Sequence, residues 1–512
     1  MTVIFSIFGD ICLSGFSSAK NVFLAAIFLF LSGHILPATP YYLYLQDVPT
    51  SGLQKNLFLE EVFQELAEEE IPIRHYLKWI QAISVDLSPT QLERLSSADW
   101  VASIELVSTG KSSRVSASRV DTNPKFDTLL SMQRGLMYLD TLAAHGLTGK
   151  GITIAIIDAG FQYADKHPAL EILRKEKRIL ATKDFYDGGE NVYRHSDHGT
   201  QVLACMAGYY GETPLGAAYD ANYLLARTEH ESKESMVEED HWIAALEWAV
   251  EQGADIVSTS VNFTDHHYTT AQMDGKTSAA SKAASIASQK GCLIVCAMGN
   301  EGDSKWEIMG APADAPEVLS VGGSLPMLRA HIPFASIGPN AAGGLKPNVA
   351  GPAYVLTTGK KAQYSIQAGT SFACPLIAGI AACILQKSPD LQPAQVISIM
   401  QRLGHHFPYY DFYLGFGVPD VRKVWATPGE QEATFSIDFS ADTVRIQFPP
   451  LSDSTTQERV LSFHLENEEG VIENCYFSLI EPEETEYMFR RKERPGTLRI
   501  WFEGYLYQKR FE

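Results

Sequence analysis

Between Gly151 and Gln386 the chain alternates short, largely apolar segments with longer stretches of helical period. Ile152 to Ile157, Tyr223 to Ala226, Ile256 to Ser260 and Leu293 to Ala297 have strand length. His198 to Gly208, Trp242 to Glu251, Ala279 to Gln289 and Ser371 to Gln386 read as helices among them. Strands apolar on both faces and separated by helices predict an α/β fold with a parallel sheet. Active sites in such sheets lie at the carboxyl ends of strands, where Asp158 and Asn300 fall.

The pattern differs on either side. Residues 41–108 read as a small α+β unit: strands at Tyr41 to Leu45, Ile80 to Leu87 and Trp100 to Val107, and a helix from Asn56 to Glu70. Ser88-Pro89-Thr90-Gln91 has the capping-box pattern with proline at the first helical position, so a second helix starts there. The polar stretch 109–120 reads as a linker, and 121–425 as the central α/β domain. From Thr434 onward apolar and polar residues alternate, which predicts an antiparallel β domain over 428–512.

Composition narrows the class. With 512 residues, 45% of them hydrophobic, the chain can form two to four domains and one large core. A net charge of −20 argues against a nucleic-acid partner, since phosphate binding needs a basic face. Lys20, the apolar run Val22 to Leu31 and the exit at Pro37-Ala38 describe a secretory signal peptide over 1–38. Retention of that segment as an anchor is the alternative. No later segment reads as transmembrane.

Six cysteines remain beyond Cys12. Cys292 and Cys296 share one strand, and Cys374 and Cys383 one helix. Each pair lies about 13 Å apart, too far for a disulfide. Buried free thiols are the simpler reading, with other pairings open. No Cys/His spacing suggests zinc.

Three segments carry chemistry. The apolar run from Ile154 ends on Asp158-Ala159-Gly160. Ser196-Asp197-His198-Gly199-Thr200 opens a helix. Gly369-Thr370-Ser371 opens another, with Pro375 in its first turns. A serine hydroxyl needs a histidine to take its proton and a carboxylate to hold that histidine in one tautomer. Each residue has a plain structural reading as well: a turn aspartate, a surface histidine, an N-cap serine. His195, close by, is a decoy for the histidine role. The order Asp158, His198, Ser371 resembles that of the subtilisin-like serine proteases (subtilases), over roughly Asp121 to Val424.

The resemblance implies a secreted serine endopeptidase acting on proteins or peptides, with no cofactor required. Asp158, His198 and Ser371 would form the triad, and the Asn300 side-chain amide would donate to the oxyanion. Ser260-Val261-Asn262 and Ala297-Met298-Gly299 match the substrate-binding segments. Asn262 stands where glycine is common, and Met298 where a small residue is usual. Ala159 lacks the hydroxyl the family usually places after the aspartate. Gly199 is expected to leave room for substrate.

The other cleft edge aligns loosely near Ser235-Met236-Val237. Glu229, Glu231, Glu234, Glu238, Glu239 and Asp240 crowd it. They would form either an acidic rim favouring basic substrates or, at 238–240, a dipole-complementing first helical turn. Calcium is common in the family; Asp184, Asp187, Asp265 and Asp274 are candidate oxygens without a specific ligand spacing. The 41–108 unit resembles an inhibitory prodomain. The C-terminal β domain is open between surface sorting, substrate or carbohydrate binding, and stabilisation. A catalytically silent binding fold and a purely self-processing enzyme are the rival readings.

Overall fold

A computed structural model describes residues 39–46, 48–49, 52–107, 126–229, 237–264, 268–326, 329–425, 433–440, 443–449, 459–466, 472–481, 484–490, 495–502 and 505–511. The signal-like segment 1–38 and the linker 109–120 lie outside the described residues. The chain divides into two compact units, 1–107 and 108–512.

The first unit runs β1 (Thr39–Leu45), α1 (Gly52–Glu68), β2 (Ile73–Leu77), β3 (Ala82–Leu87), α2 (Pro89–Leu95), β4 (Val101–Leu106). Its four strands form an antiparallel sheet in the order β2-β3-β1-β4. Leu43, Ile83 and Val85 from the sheet pack with Val62 and Leu66 of α1. Ser88 and Gln91 form the reciprocal capping box that starts α2. Strand β2 has no counterpart in the sequence reading. Of its five residues only Leu77 is fully buried, so no alternation marks it.

The second unit continues with α3 (Phe126–Gly135), α4 (Leu139–Ala144), β5 (Thr153–Asp158), α5 (Glu171–Lys175), β6 (Ile179–Asp184), α6 (His198–Ala207), β7 (Tyr209–Tyr210), β8 (Thr213–Pro214), β9 (Asn222–Arg227), α7 (Glu238–Glu251), β10 (Ile256–Thr259), α8 (Ala279–Gln289), β11 (Leu293–Ala297), β12 (Leu319–Ser324), β13 (Val349–Pro352), β14 (Tyr354–Thr358), β15 (Tyr364–Ala368), α9 (Thr370–Lys387) and α10 (Pro393–Leu403). Seven strands form a parallel sheet in the order β13-β12-β11-β10-β5-β9-β6. This is the α/β fold expected of the subtilisin-like proteases. The chain reverses its direction of travel across the sheet between β5 and β10. A crevice opens at the carboxyl ends of strands at such a point.

Residues Ile154, Ile156, Leu293 and Val295 are sealed from solvent against α9 and its neighbours. Each such side chain contributes roughly 1.5–3 kcal/mol of burial. Strands β12 and β13 contain Gly322, Gly323 and Gly351, which read as breakers in sequence. In the fold Gly351 lets α9 approach: a methyl group there would lie 3.2 Å from the Ala373 carbonyl oxygen. Helix α9 is long and apolar enough to cross a membrane, but 89% of it is buried, as the central helix of this core. Cys205, Cys292, Cys296, Cys374 and Cys383 are buried free thiols.

The chain ends in β16 (Ser436–Phe439), β17 (Thr443–Gln447), β18 (Arg459–Glu466), β19 (Ile472–Ile480), β20 (Glu486–Arg490), β21 (Gly496–Phe502) and β22 (Tyr505–Phe511). They form two antiparallel sheets, β16-β17-β20 and β19-β18-β21-β22. Their shared core includes Val444, Ile446, Leu461, Leu498 and Ile500. Aromatic contacts tie this part to the α/β domain: Tyr409 stacks on His464 at 4.1 Å and His405 meets Trp501 edge-on at 4.9 Å.

Candidate active site

Three strand ends and two helix starts converge on the crevice. Asp158 is the last residue of β5 and is 1% exposed. A carboxylate so placed is costly unless its oxygens are bonded. The Ala159 N–H donates to its Oδ1 at 2.7 Å, supplying backbone support where the residue has no hydroxyl. Gly160 follows at φ +149; a methyl group on it would lie 2.6 Å from the Arg194 carbonyl oxygen, so only glycine lets that loop close over Asp158.

His198 opens α6. Its Nδ1 lies 2.8 Å from Asp158 Oδ1 and 3.0 Å from Oδ2. An Nδ1–H donated to the carboxylate leaves Nε2 as the basic nitrogen. The ring lies against Phe372, centroids 5.6 Å apart, the residue that follows Ser371. Gly199 is not a substrate gap, contrary to expectation. A methyl group there would lie 2.6 Å from the Gly160 carbonyl oxygen and 2.8 Å from the Phe161 ring, so this glycine lets α6 pack against the Asp158 loop. His195 stands apart, with Nε2 3.2 Å from Asp187.

Ser371 is the second residue of α9 and is 6% exposed. Its N–H belongs to the first turn, where helical amides have no internal partner. Pro375, four residues on, has no N–H to give the Ser371 carbonyl. The Ser260 hydroxyl donates to that carbonyl instead, at 2.9 Å. This residue, expected at the substrate edge, uses its side chain to fasten the extension of β10 to the nucleophile.

Asn300 sits beyond the end of β11. Its Oδ1 accepts from the Thr370 N–H at 2.8 Å and from the Thr370 hydroxyl at 3.1 Å. The Gly299 carbonyl lies 3.0 Å from the same Thr370 Oγ1, so the one hydroxyl proton is shared between these two acceptors. With its oxygen end held this way, Asn300 keeps its NH₂ end as the donor. Gly299 takes φ +102, a turn favourable to glycine. Met298 is fully buried, its N–H on the Val321 carbonyl. Val261 is buried too, and Asn262 Nδ2 donates to the Ala297 carbonyl at 2.9 Å.

Sequence reasoning missed three contributors. Thr370 orients Asn300. Pro375 recruits Ser260. The third is Arg227, which is sealed from solvent beside Asp158 on the neighbouring strand β9. Its Nη1 bonds Asp184 Oδ2 at 2.8 Å and Asp187 Oδ2 at 2.7 Å, and its Nε donates to the Ala159 carbonyl at 3.3 Å. Arg227 holds the Asp187 carboxyl below the usual carboxylate range. A charge closing the apolar run from Tyr223 is the same signal that marks Asp158.

Three of the four aspartates named as calcium candidates have partners within the protein. Asp184 and Asp187 are taken by Arg227 and Arg194, and Asp274 accepts the N–H groups of Lys276 and Thr277. Asp265 lies outside the described residues. Among the described residues no group of three or more His, Cys, Asp or Glu is placed to hold a metal.

The acidic rim is corrected likewise. Glu229, Glu238, Glu239 and Asp240 are buried, and Glu231, Glu234, Ser235 and Met236 lie outside the described residues. Glu239 accepts from the Tyr268 hydroxyl at 2.8 Å and from the Ala280 N–H at 2.9 Å, in the first turn of α8. Burial pushes its carboxyl up to about 7.

Comparison with known proteins identifies the family. The Subtilase family (peptidase S8) model matches residues 149–417, more than half of the chain. The serine protease AprX of Bacillus subtilis (strain 168) is 28% identical over 286 residues, 50% of this chain and 61% of that protein. Subtilisin of Bacillus pumilus is 26% identical over 304 residues, 57% of this chain and 98% of that protein. Among solved structures, fervidolysin of Fervidobacterium pennivorans, described as a keratinolytic enzyme related to subtilisin, superposes with a TM-score of 0.56. That match has 16% identity and covers 91% of this chain and 71% of that one, a likeness of fold. The chain belongs to the subtilase family of serine-type endopeptidases.

Proposed function

We propose that this protein is a secreted endopeptidase that cleaves peptide bonds through Asp158, His198 and Ser371. Ser371 Oγ attacks the carbonyl carbon while His198 Nε2 takes its proton. Asp158 holds the ring and stabilises the imidazolium that forms. The Ser371 N–H and the Asn300 NH₂ receive the developing oxyanion. His198 then protonates the leaving amine. Water, deprotonated by the same nitrogen, attacks the acyl-enzyme and releases the second product.

The contact between Asp158 and His198 Nδ1 carries this reading, because it leaves the opposite ring nitrogen basic. Lys20 and the apolar run Val22 to Leu31 support export. The compact 1–107 unit, with its own core, supports a prodomain role for residues 41–108.

Casein hydrolysis by wild type, Ser371→Ala, His198→Ala and the double variant tests the mechanism. Residues acting as one unit give losses that do not multiply, so the double variant should be no slower than either single one. Losses that multiply, or activity surviving Ser371→Ala, would refute the proposed chemistry.

A further inference from the structure

Strands β10 and β11 pair in parallel as far as Thr259 and Cys296. Beyond that point they part: Phe263 exchanges backbone hydrogen bonds with Ala311, while 297–300 runs toward Thr370. Both extensions are fastened to the nucleophile's turn, one through Ser260 on the Ser371 carbonyl, the other through Thr370 on Gly299 and Asn300. The slot between them therefore begins at Ser371. If the reacting carbon sits on Ser371 Oγ with its oxygen toward Asn300, the Cα of the residue on the acyl side is one bond away. Its side chain enters this slot.

Asn262 stands across the slot. It is 3% exposed, and its Nδ2 bridges to the Ala297 carbonyl on the opposite side. The residues facing it are glycines. A methyl group at Gly310 would lie 2.9 Å from Asn262 Cβ, and one at Gly299 would lie 3.4 Å from its Oδ1. Asn262 thus occupies space next to both glycines, its Cβ beside Gly310 and its Oδ1 beside Gly299. A substrate side chain cannot push it aside without breaking its bond to the Ala297 carbonyl and leaving a buried amide donor unpaired.

Resting on the endopeptidase reading above, we propose that Asn262 sets the size limit of the site, restricting the acyl-side residue to a small side chain such as glycine, alanine or serine. Matched tetrapeptide p-nitroanilides ending in Ala or Phe test this in the full chain. Wild type should favour Ala in kcat/KM by roughly tenfold or more, the scale on which pocket volume discriminates. Asn262→Gly should erase or reverse that ratio, mainly by a gain with Phe. Asn262→Ala, which keeps Cβ but loses the bridge, should fall between and serves if the glycine variant does not fold.

Equal rates of wild type on both substrates would overturn the proposal, as would variants that change both rates by one factor. Fluorophosphonate labelling of each protein separates the two levels. Labelled enzymes with an unchanged ratio would sink the role of Asn262 alone. Wild type that is folded yet unlabelled would sink the endopeptidase reading beneath it.

Discussion

Ser260 completes the helix that carries Ser371: its hydroxyl supplies, at 2.9 Å, the hydrogen bond that Pro375 cannot give to the Ser371 carbonyl. Ser260→Ala leaves that buried acceptor open, at a cost of about 1–3 kcal/mol. Thermal unfolding should show the loss, and kcat should fall as the nucleophile's turn loosens. Pro375→Ala restores an N–H at the position that faces the carbonyl. In the Ser260→Ala background it should recover part of the lost stability. A double variant no more stable than Ser260→Ala would disprove this coupling.

Thr370 and Asn300 form a second such relation, now within the oxyanion site. Thr370→Val removes one of two donors to Asn300 Oδ1 and keeps the backbone one. We expect kcat to drop several-fold with KM little changed, against roughly 10²–10³-fold for Asn300→Ala. Adding Thr370→Val to Asn300→Ala should cost almost nothing more. Steady-state kinetics on one peptide substrate decide it: a full additional loss in the double variant would mean Thr370 acts elsewhere.

Behind Asp158, Arg227 is a sealed cation held by two aspartates. Arg227→Met leaves Asp184 and Asp187 to share Arg194 as their remaining arginine, which strands one carboxylate charge, at a cost of up to about 3–5 kcal/mol. The melting temperature should fall sharply, and more so above the pH at which free carboxyls ionise. Asp184→Asn, added to Arg227→Met, removes the stranded charge and should recover part of the loss. No recovery would place the damage in packing rather than in charge.

Glu239 gives a pH signature. Burial pushes its carboxyl up to about 7 in the folded protein, from an ordinary value of 4.5. The folded state therefore holds more protons than the unfolded one between these limits, and stability declines as pH rises through that window. Glu239→Gln removes the titration. Relative to wild type it should gain little at or below pH 4.5, gain progressively up to about pH 7, and level off above that. Melting temperatures across pH 4.5–8 check this; a pH-independent difference would show that the carboxyl is not the source.

The parallel sheet was legible because Ile154 to Ile157 and Leu293 to Ala297 are apolar without interruption, as strands buried on both faces must be. Strands β12 and β13 were not, because glycines interrupt them: Gly351 makes room for Ala373 of α9, and Gly322 and Gly323 make room for Pro347 and Ile332. Asp158, His198, Ser371 and Asn300 stood out as polar residues at the ends of apolar runs. The roles of Thr370, Ser260 and Arg227 depend on contacts between segments far apart in sequence, such as Asn300 with Thr370, which no local pattern encodes. The acid-rich stretch was legible in part: Glu238, Glu239 and Asp240 do form the first turn of α7, but nothing local shows that they are buried or that Glu239 also caps the start of α8.

The central claim is that Ser371 is a nucleophile activated by the Asp158–His198 pair. The most direct measurement is fluorophosphonate labelling of the purified protein followed by peptide mapping of the adduct, with Ser371→Ala and Asp158→Asn alongside. The account predicts a single adduct on Ser371, none in Ser371→Ala, and labelling slowed by roughly 10⁴-fold in Asp158→Asn, where the histidine loses its tautomer. A folded wild-type protein that takes no label, or that labels at another serine, would contradict it.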